Sequence, residues 1–115
     1  VIIIAGTLRV AASDRERYLA LVSAATVQAR HAPGCLDFAQ SADSLEPDRI
    51  NIYERWESDE HLEAFRSLPS SGVAPPILSA DVRRYRIASV EPPEARSGAQ
   101  SLGVLVAGRP SGWAS

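Results

Sequence analysis

A chain of 115 residues is long enough for one domain with a real core, yet short enough that extra burial against a second copy would help it. Its 45% hydrophobic and 23% charged content fits a folded globular protein, and a net charge of −2 without a basic run argues against nucleic acid or an anionic membrane as partner. With Cys35 as the one cysteine, neither an intrachain disulfide nor a thiolate metal cluster can form within the chain, and a reducing compartment is the expectation.

Residues 1–10 are rich in Ile and Val and predict a first strand, apolar on both faces and therefore central. The apolar run at its start is too short for a signal-peptide core, and nothing approaches the length of a membrane span, so a cytoplasmic location is expected. Ser13-Asp-Arg-Glu16 has the spacing of a capping box, and the helix after it places Tyr18, Leu21, Val22, Ala25 and Ala29 on one stripe. His31 suits the negative end of that helix, and Pro33-Gly34 stops it.

Residues 35–42 predict a second strand in which Leu36, Phe38 and Gln40 alternate with Asp37, Ala39 and Ser41. Polar turn chemistry at residues 43–48 leads to a third strand over 49–56, so the two form an antiparallel hairpin. Ser58 caps a second helix expected over 59–68, with Leu62, Phe65 and Leu68 inward. Residues 69–79 carry three prolines and a glycine and predict an irregular loop with at most one helical turn at Ile77-Leu78. A fourth strand is expected over 81–90, ended by Pro92-Pro93. Residues 93–115 form a Ser-, Gly- and Ala-rich tail, in which 102–107 reads either as an added strand laid against a partner subunit or as disorder.

The order β-α-β-β-α-β within residues 1–92 is the split, ferredoxin-like α+β pattern, two helices on one face of a four-stranded antiparallel sheet. The uncovered face predicts a homodimer with sheets packed face to face. On the third strand, Ile50, Ile52, Glu54 and Trp56 share one face. That face is apolar apart from one carboxylate, which is costly there unless paired or facing a cavity. The surroundings of Glu54 and Trp56 are therefore the first candidate for a site.

Pro33-Gly34-Cys35-Leu36, the strand Ile52-Tyr-Glu-Arg-Trp56 and Glu57-Ser58-Asp-Glu-His-Leu62 together resemble the antibiotic biosynthesis monooxygenase family. The resemblance spans residues 1–90 and implies a dimeric α+β barrel. It also implies a cofactor-independent oxygenase acting with O2 on a quinol- or anthrone-like aromatic. Trp56 then matches a tryptophan lining the substrate pocket. The asparagine that such oxygenases place four residues earlier is Ile52 here, and Asn51 points to the other face. A histidine common in the second helix is replaced by Phe65, with His61 one turn earlier. A haem-degrading branch of the family is disfavoured: its Asn aligns with Thr7 and its Trp with Phe65, and no His completes the set.

Two roles are weighed for each residue. Trp56 either stacks a substrate or plugs the core beneath a helix. Glu54 is either a general base with its pKa raised by burial, or a salt-bridge partner of Arg84 or Arg86. His61 is either the proton carrier or a solvated residue. Ile52, Leu62, Phe65, Phe38, Tyr85 and Thr7 complete the expected substrate-binding set. Of Arg83, Arg84 and Arg86, two must share a face, and an inward one would hold an oxyanion. Without a Gly-rich phosphate loop or a metal-ligand cluster, no cofactor or metal is expected. The rival functions are a non-catalytic small-molecule-binding or stress-related dimer and a cofactor-free lyase or cyclase.

Overall fold

The computed structural model describes residues 1–70 and 72–94. The expectations for the tail, including a strand at 102–107 exchanged with a partner, lie outside the described residues. The elements are β1 (Ile2–Val10), α1 (Arg15–Arg30), β2 (Cys35–Ala42), β3 (Arg49–Trp56), α2 (Asp59–Arg66) and β4 (Ile77–Arg86). All strand pairings are antiparallel in the order β2-β3-β1-β4, the ferredoxin-like α+β arrangement read from the sequence.

Its apolar content makes β1 a central strand. Ile2, Ile4, Leu8 and Val10 are buried under the helices, while Ile3, Ala5, Thr7 and Arg9 occupy the reverse face. Ile4 pairs with Glu54 on one side and with Arg84 on the other. Gly6 keeps the middle of this strand in register with β4. A side chain there would collide with the Asp81 carbonyl, and its φ of 154° disfavours one in any case.

The core divides along β1. Beneath α2, Ile2, Ile4, Phe38, Trp56 and Leu62 pack together with Ala29 of α1. Beneath the first turns of α1, Leu8, Val10, Tyr18, Ile50 and Ile52 form a second cluster. The Tyr18 hydroxyl lies over β2, where it donates to Gln40 Oε1 at 3.1 Å.

Several boundaries differ from expectation. The Ser13 capping box does not form, because a 3-10 turn over Ala12–Asp14 delays α1 to Arg15. The Asp14 carboxylate meets Arg17 at 3.2 Å, and no side chain caps the first turn. Leu36 leaves the Phe38 face, since the β2–β3 register shifts between Cys35 and Asp37 and puts it at a bulge, 42% exposed. Helix α2 ends at Arg66, leaving Leu68 exposed.

The largest correction concerns β4. Ile77 and Leu78 are strand, not a helical turn, and the strand stops at Arg86 rather than at residue 90. A nine-residue central strand needs backbone partners along its whole length, and pairing Val10 with Ile77 satisfies its far end. At the other end the Ile87 N–H donates to the Val1 carbonyl at 3.1 Å.

A polar clasp closes the β2–β3 hairpin. Asp43 Oδ2 accepts from the N–H groups of Leu45 and Glu46, and Asp43 Oδ1 accepts from Asn51 Nδ2 at 3.0 Å. Arg15 reaches over from α1 to the Glu46 carbonyl at 2.7 Å, while Arg9 holds Glu46 and Asp48, each at 2.9 Å. The Asn51 amide first, then the Glu46 and Leu45 N–H groups and the charge of Arg49, hold the Asp43 carboxyl down at about 2.

A depressed carboxyl pKa stabilises the fold above the unfolded value and loses that contribution as pH falls through the folded one. Thermal melts from pH 5 to pH 2 are therefore expected to fall more steeply for wild type than for Asp43→Asn across roughly pH 4 to 2. Parallel curves would remove the clasp from the acid response.

Candidate functional site

The motif flagged by the sequence does place its carboxylate and indole on the helix side of β3. Glu54 is 8% exposed and Trp56 0%. The expected salt bridge from Glu54 to Arg84 or Arg86 is absent. Both arginines belong instead to α2: Arg86 pairs with Asp59 at 2.7 Å, and Arg84 pairs with Asp59 and, at 3.3 Å, with Glu63. Asp59 lies in the first turn of α2, where the helix dipole already favours a carboxylate, so it outcompetes the more distant Glu54. Glu54 accepts from the Trp56 indole N–H at 3.0 Å.

Burial pushes the Glu54 carboxyl up from the ordinary glutamate range. The Trp56 N–H and the positive charge of Arg66 oppose that rise. The result is a desolvated carboxyl at the sheet floor with one donor of its own, and like Trp56 it lines neither of the two cavities beside α2.

The indole, however, faces no open space. Phe65 covers Trp56 with ring centroids 5.3 Å apart, and Phe38 meets Phe65 edge-on at 5.9 Å. Leu62, fully buried, closes the same cluster. Trp56 thus takes the second of its two expected roles, a plug of the core beneath α2, and the free volume lies on the far side of Phe65. There a cavity of about 250 Å³ runs between α1 and the end of α2, lined by Leu21, Ala24, Ala25, Gln28, Phe65, Arg66 and residues 68–70. A second recess of about 190 Å³ lies over Ile4 and is lined by Arg66, Val82, Arg83 and Arg84.

The remaining sequence candidates scatter. Ile52 is buried under α1 and Phe38 under α2. Thr7 and Tyr85 occupy the reverse face of the sheet with Tyr53, because Thr7 pairs with Asn51 and Tyr85 with Ile3, both outward positions. Asn51 serves the hairpin clasp.

His61 sits over the Pro33-Gly34 turn and lines neither cavity. Its Nδ1 lies 2.7 Å from the Ser58 hydroxyl, and that oxygen also accepts the His61 N–H, completing the cap of α2. A side chain at Gly34, where φ is 79°, would strike the imidazole. His61 thus joins the turn to the helix. Cys35, half-buried in the same corner, donates to the Asp37 carbonyl at 3.6 Å. His31 accordingly ends α1, its Nδ1 2.8 Å from the Val27 carbonyl.

Arg66 was not singled out from the sequence, although its spacing marks it. Leu62, Phe65 and Arg66 stand at i, i+3 and i+4, on one face of α2. Leu21 and Ala25 of the predicted α1 stripe turn out to wall the cavity rather than the core. Among the described residues no group of three His, Cys, Asp or Glu side chains is placed to hold a metal ion, and no helix is long and apolar enough to cross a membrane.

Residues 1–74 match the family model described as antibiotic biosynthesis monooxygenase. Among solved structures, a candidate antibiotic biosynthesis monooxygenase from Deinococcus radiodurans superposes with a TM-score of 0.67 at 19% identity, covering 79% of this chain and 96% of that one. A similarly described protein from Nitrosomonas europaea gives 0.66 at 12% identity over 77% of this chain and 100% of its own. The heme-degrader MhuD from Mycobacterium tuberculosis, solved with two hemes in its active site, gives 0.60 at 16% identity over 79% and 99%. At these identities the superpositions establish a shared fold. No curated protein matches the sequence significantly.

Replacing Trp56 by Phe removes the one donor that lowers the Glu54 carboxyl through a hydrogen bond, and leaves a void beside Phe65. The expected cost is about 2 kcal/mol. The Glu54 pKa, followed by NMR of its side-chain carboxyl carbon, should rise further in Trp56→Phe. A fall, or no movement, would show that the indole does not control this carboxyl.

Proposed function

Because the chain belongs to the antibiotic biosynthesis monooxygenase family, we propose that it is a cofactor-independent monooxygenase, oxidising a quinol- or anthrone-like aromatic with O2. The observation that carries this reading is the buried Glu54, bound to an indole that a single aromatic ring, Phe65, separates from the cavity between α1 and α2. Family membership supports an oxygenase or small-molecule-binding role; substrate and residue roles are our inference.

The substrate enters between α1 and α2 against Leu21, Ala25 and Leu68, and displaces the Phe65 ring to stack on Trp56. Glu54 then takes the acidic proton of the substrate, and the carbanion left behind is the reductant. It passes one electron to O2, the two radicals combine, and the resulting hydroperoxide loses water. An anthrone methylene thereby becomes a carbonyl, with one oxygen atom kept and the other released as water. The four electrons come from the carbon, so no further reductant enters. Stacked on Trp56 below the level of Phe65, the substrate itself excludes the water that would otherwise protonate the carbanion. His61, held at the cap of α2, takes no part in this scheme.

Oxygen uptake with an anthrone substrate should fall by about 10²-fold or more in Glu54→Gln, the scale of lost general-base catalysis. Oxygen-electrode traces of wild type and variant under equal substrate decide it. Equal rates would exclude Glu54 as the base. Tight substrate binding without oxygen uptake by wild type would move the chain to the non-catalytic binding class.

The reverse face of the sheet carries Ile3, Ala5, Tyr53 and Tyr85, the last 49% exposed. We infer that a second copy of the chain covers it, since these four residues form an apolar strip, bordered by Arg55, Asp81 and Arg83, whose burial is otherwise unused. Light scattering should give the mass of two 12.3 kDa chains, and Tyr53→Asp should shift it to one. A monomeric wild type rejects the homodimer.

A further inference from the structure

We propose that the recess over Ile4 is an anion site anchored by Arg66, so that the aromatic bound in the adjoining cavity carries a carboxylate or an ionised phenol. This deepens the functional reading above and rests on it, since it names the substrate class of the same cavity.

The recess is lined on the helix side of the sheet by Arg66 and Arg84 with Ile4 and Val82, and among the described residues no carboxylate lines it. Arg83 borders it only from the strand, because its pairing with Ala5 turns its side chain to the reverse face, where it meets Asp81 at 3.3 Å. The two inward guanidinium groups are not equally satisfied, since Arg84 is engaged by Asp59 and Glu63. The carboxylate nearest Arg66 is Glu63 at 3.9 Å, and the oxygen concerned, Oε1, is already bound by Arg84 at 3.3 Å. Arg66 is thus a cation whose counter-ion is largely taken by a neighbour.

Arg66 also lines both spaces, the cavity beside Leu21, Ala25 and Phe65 and the recess over Ile4. A ligand with an apolar ring and one anionic oxygen group matches that division, and a planar fork of N–H donors is suited to such a group. The sheet fixes the distance to the acid. Ile4 pairs with Glu54 on one side and Arg84 on the other, which sets these two positions about 10 Å apart, two strand spacings. An anion held on the Arg84 side of Arg66 is therefore about two strand spacings from Glu54, with its ring rather than its charge turned towards that acid. Direct contact between two negative groups is avoided.

Isothermal titration calorimetry of the whole chain with 2-naphthoate and its neutral analogue 2-naphthalenemethanol tests this. Wild type should bind the naphthoate about ten-fold tighter at low ionic strength, with the margin shrinking as salt is added. Arg66→Gln should abolish the margin while leaving the affinity for the alcohol within about two-fold, and Arg66→Lys should keep part of it. Arg66 is 47% exposed, so the variants should fold, and their melting temperatures check that directly. Equal binding of both probes by wild type, or an undiminished margin in Arg66→Gln, overturns the anion site and leaves the apolar cavity standing. Failure of both probes to bind overturns the cavity itself, and the functional reading with it.

Discussion

The hydrogen bond from the Trp56 indole to Glu54 is the constraint around which the helix-side face of this sheet is arranged. A carboxyl on an inward strand position must find a donor or carry a large desolvation cost. Positions i and i+2 of one strand share a face, so the donor comes from the same strand and needs no distant partner. Once the indole is turned to serve Glu54, its ring offers a flat surface towards α2. Phe65 and Leu62 pack against it and fix the rotation of that helix. The rotation in turn aims Arg66 at the gap between α2 and the sheet. A single local bond thus sets the position of the aromatic lid, the cavity mouth and the cation beside it.

Charged groups hold the two ends of this arrangement. At one end, Arg84 and Arg86 of β4 draw the first turn of α2 down through Asp59. At the other, Asp43, Arg9, Arg15 and Asn51 bind the hairpin loop to β1 and α1. These pairs are exposed or half-exposed, so each contributes little by itself, and their effect is geometric. They determine which helix lies over which strands and leave α1 and the end of α2 without a tight contact between them. The cavity occupies that gap.

Features set by neighbours in the chain were legible in the sequence. The alternation on β3, the hairpin with β2, the Pro33-Gly34 stop and the Ser58 cap each depend on a few consecutive residues, and each formed where expected. Features decided by competition over distance were not. The Ser13 box is as good a local signal as Ser58, yet a 3-10 turn displaced it. The start of β4 follows from the length of β1, a strand some 70 residues earlier, and no property of Ile77 or Leu78 announces it. The same holds for the site. That Glu54 and Trp56 face inward is a matter of parity along one strand. That Phe65 then covers Trp56, that Asp59 takes the arginines, and that His61 serves the Gly34 turn depend on how α2 lands. Arg66 was within reach of helical spacing, but a charged residue at the end of a short helix reads as solvated until the opposing wall is known.

The occlusion of Trp56 bears directly on what the cavity can accept. Exposing an aromatic side chain of this size costs about 2 to 3 kcal/mol, and a ligand that displaces Phe65 from the indole must return at least that much. An aliphatic ligand regains area alone. An aromatic one also regains a ring-to-ring contact, worth about 1 kcal/mol beyond its area. Under the proposed displacement of Phe65, flat aromatic molecules are favoured before any polar group is read, while Glu54 stays buried as long as Phe65 covers Trp56. In the proposed scheme, displacement of one ring by another joins binding to exposure of the acid, so that Glu54 meets only a ligand able to take the place of Phe65.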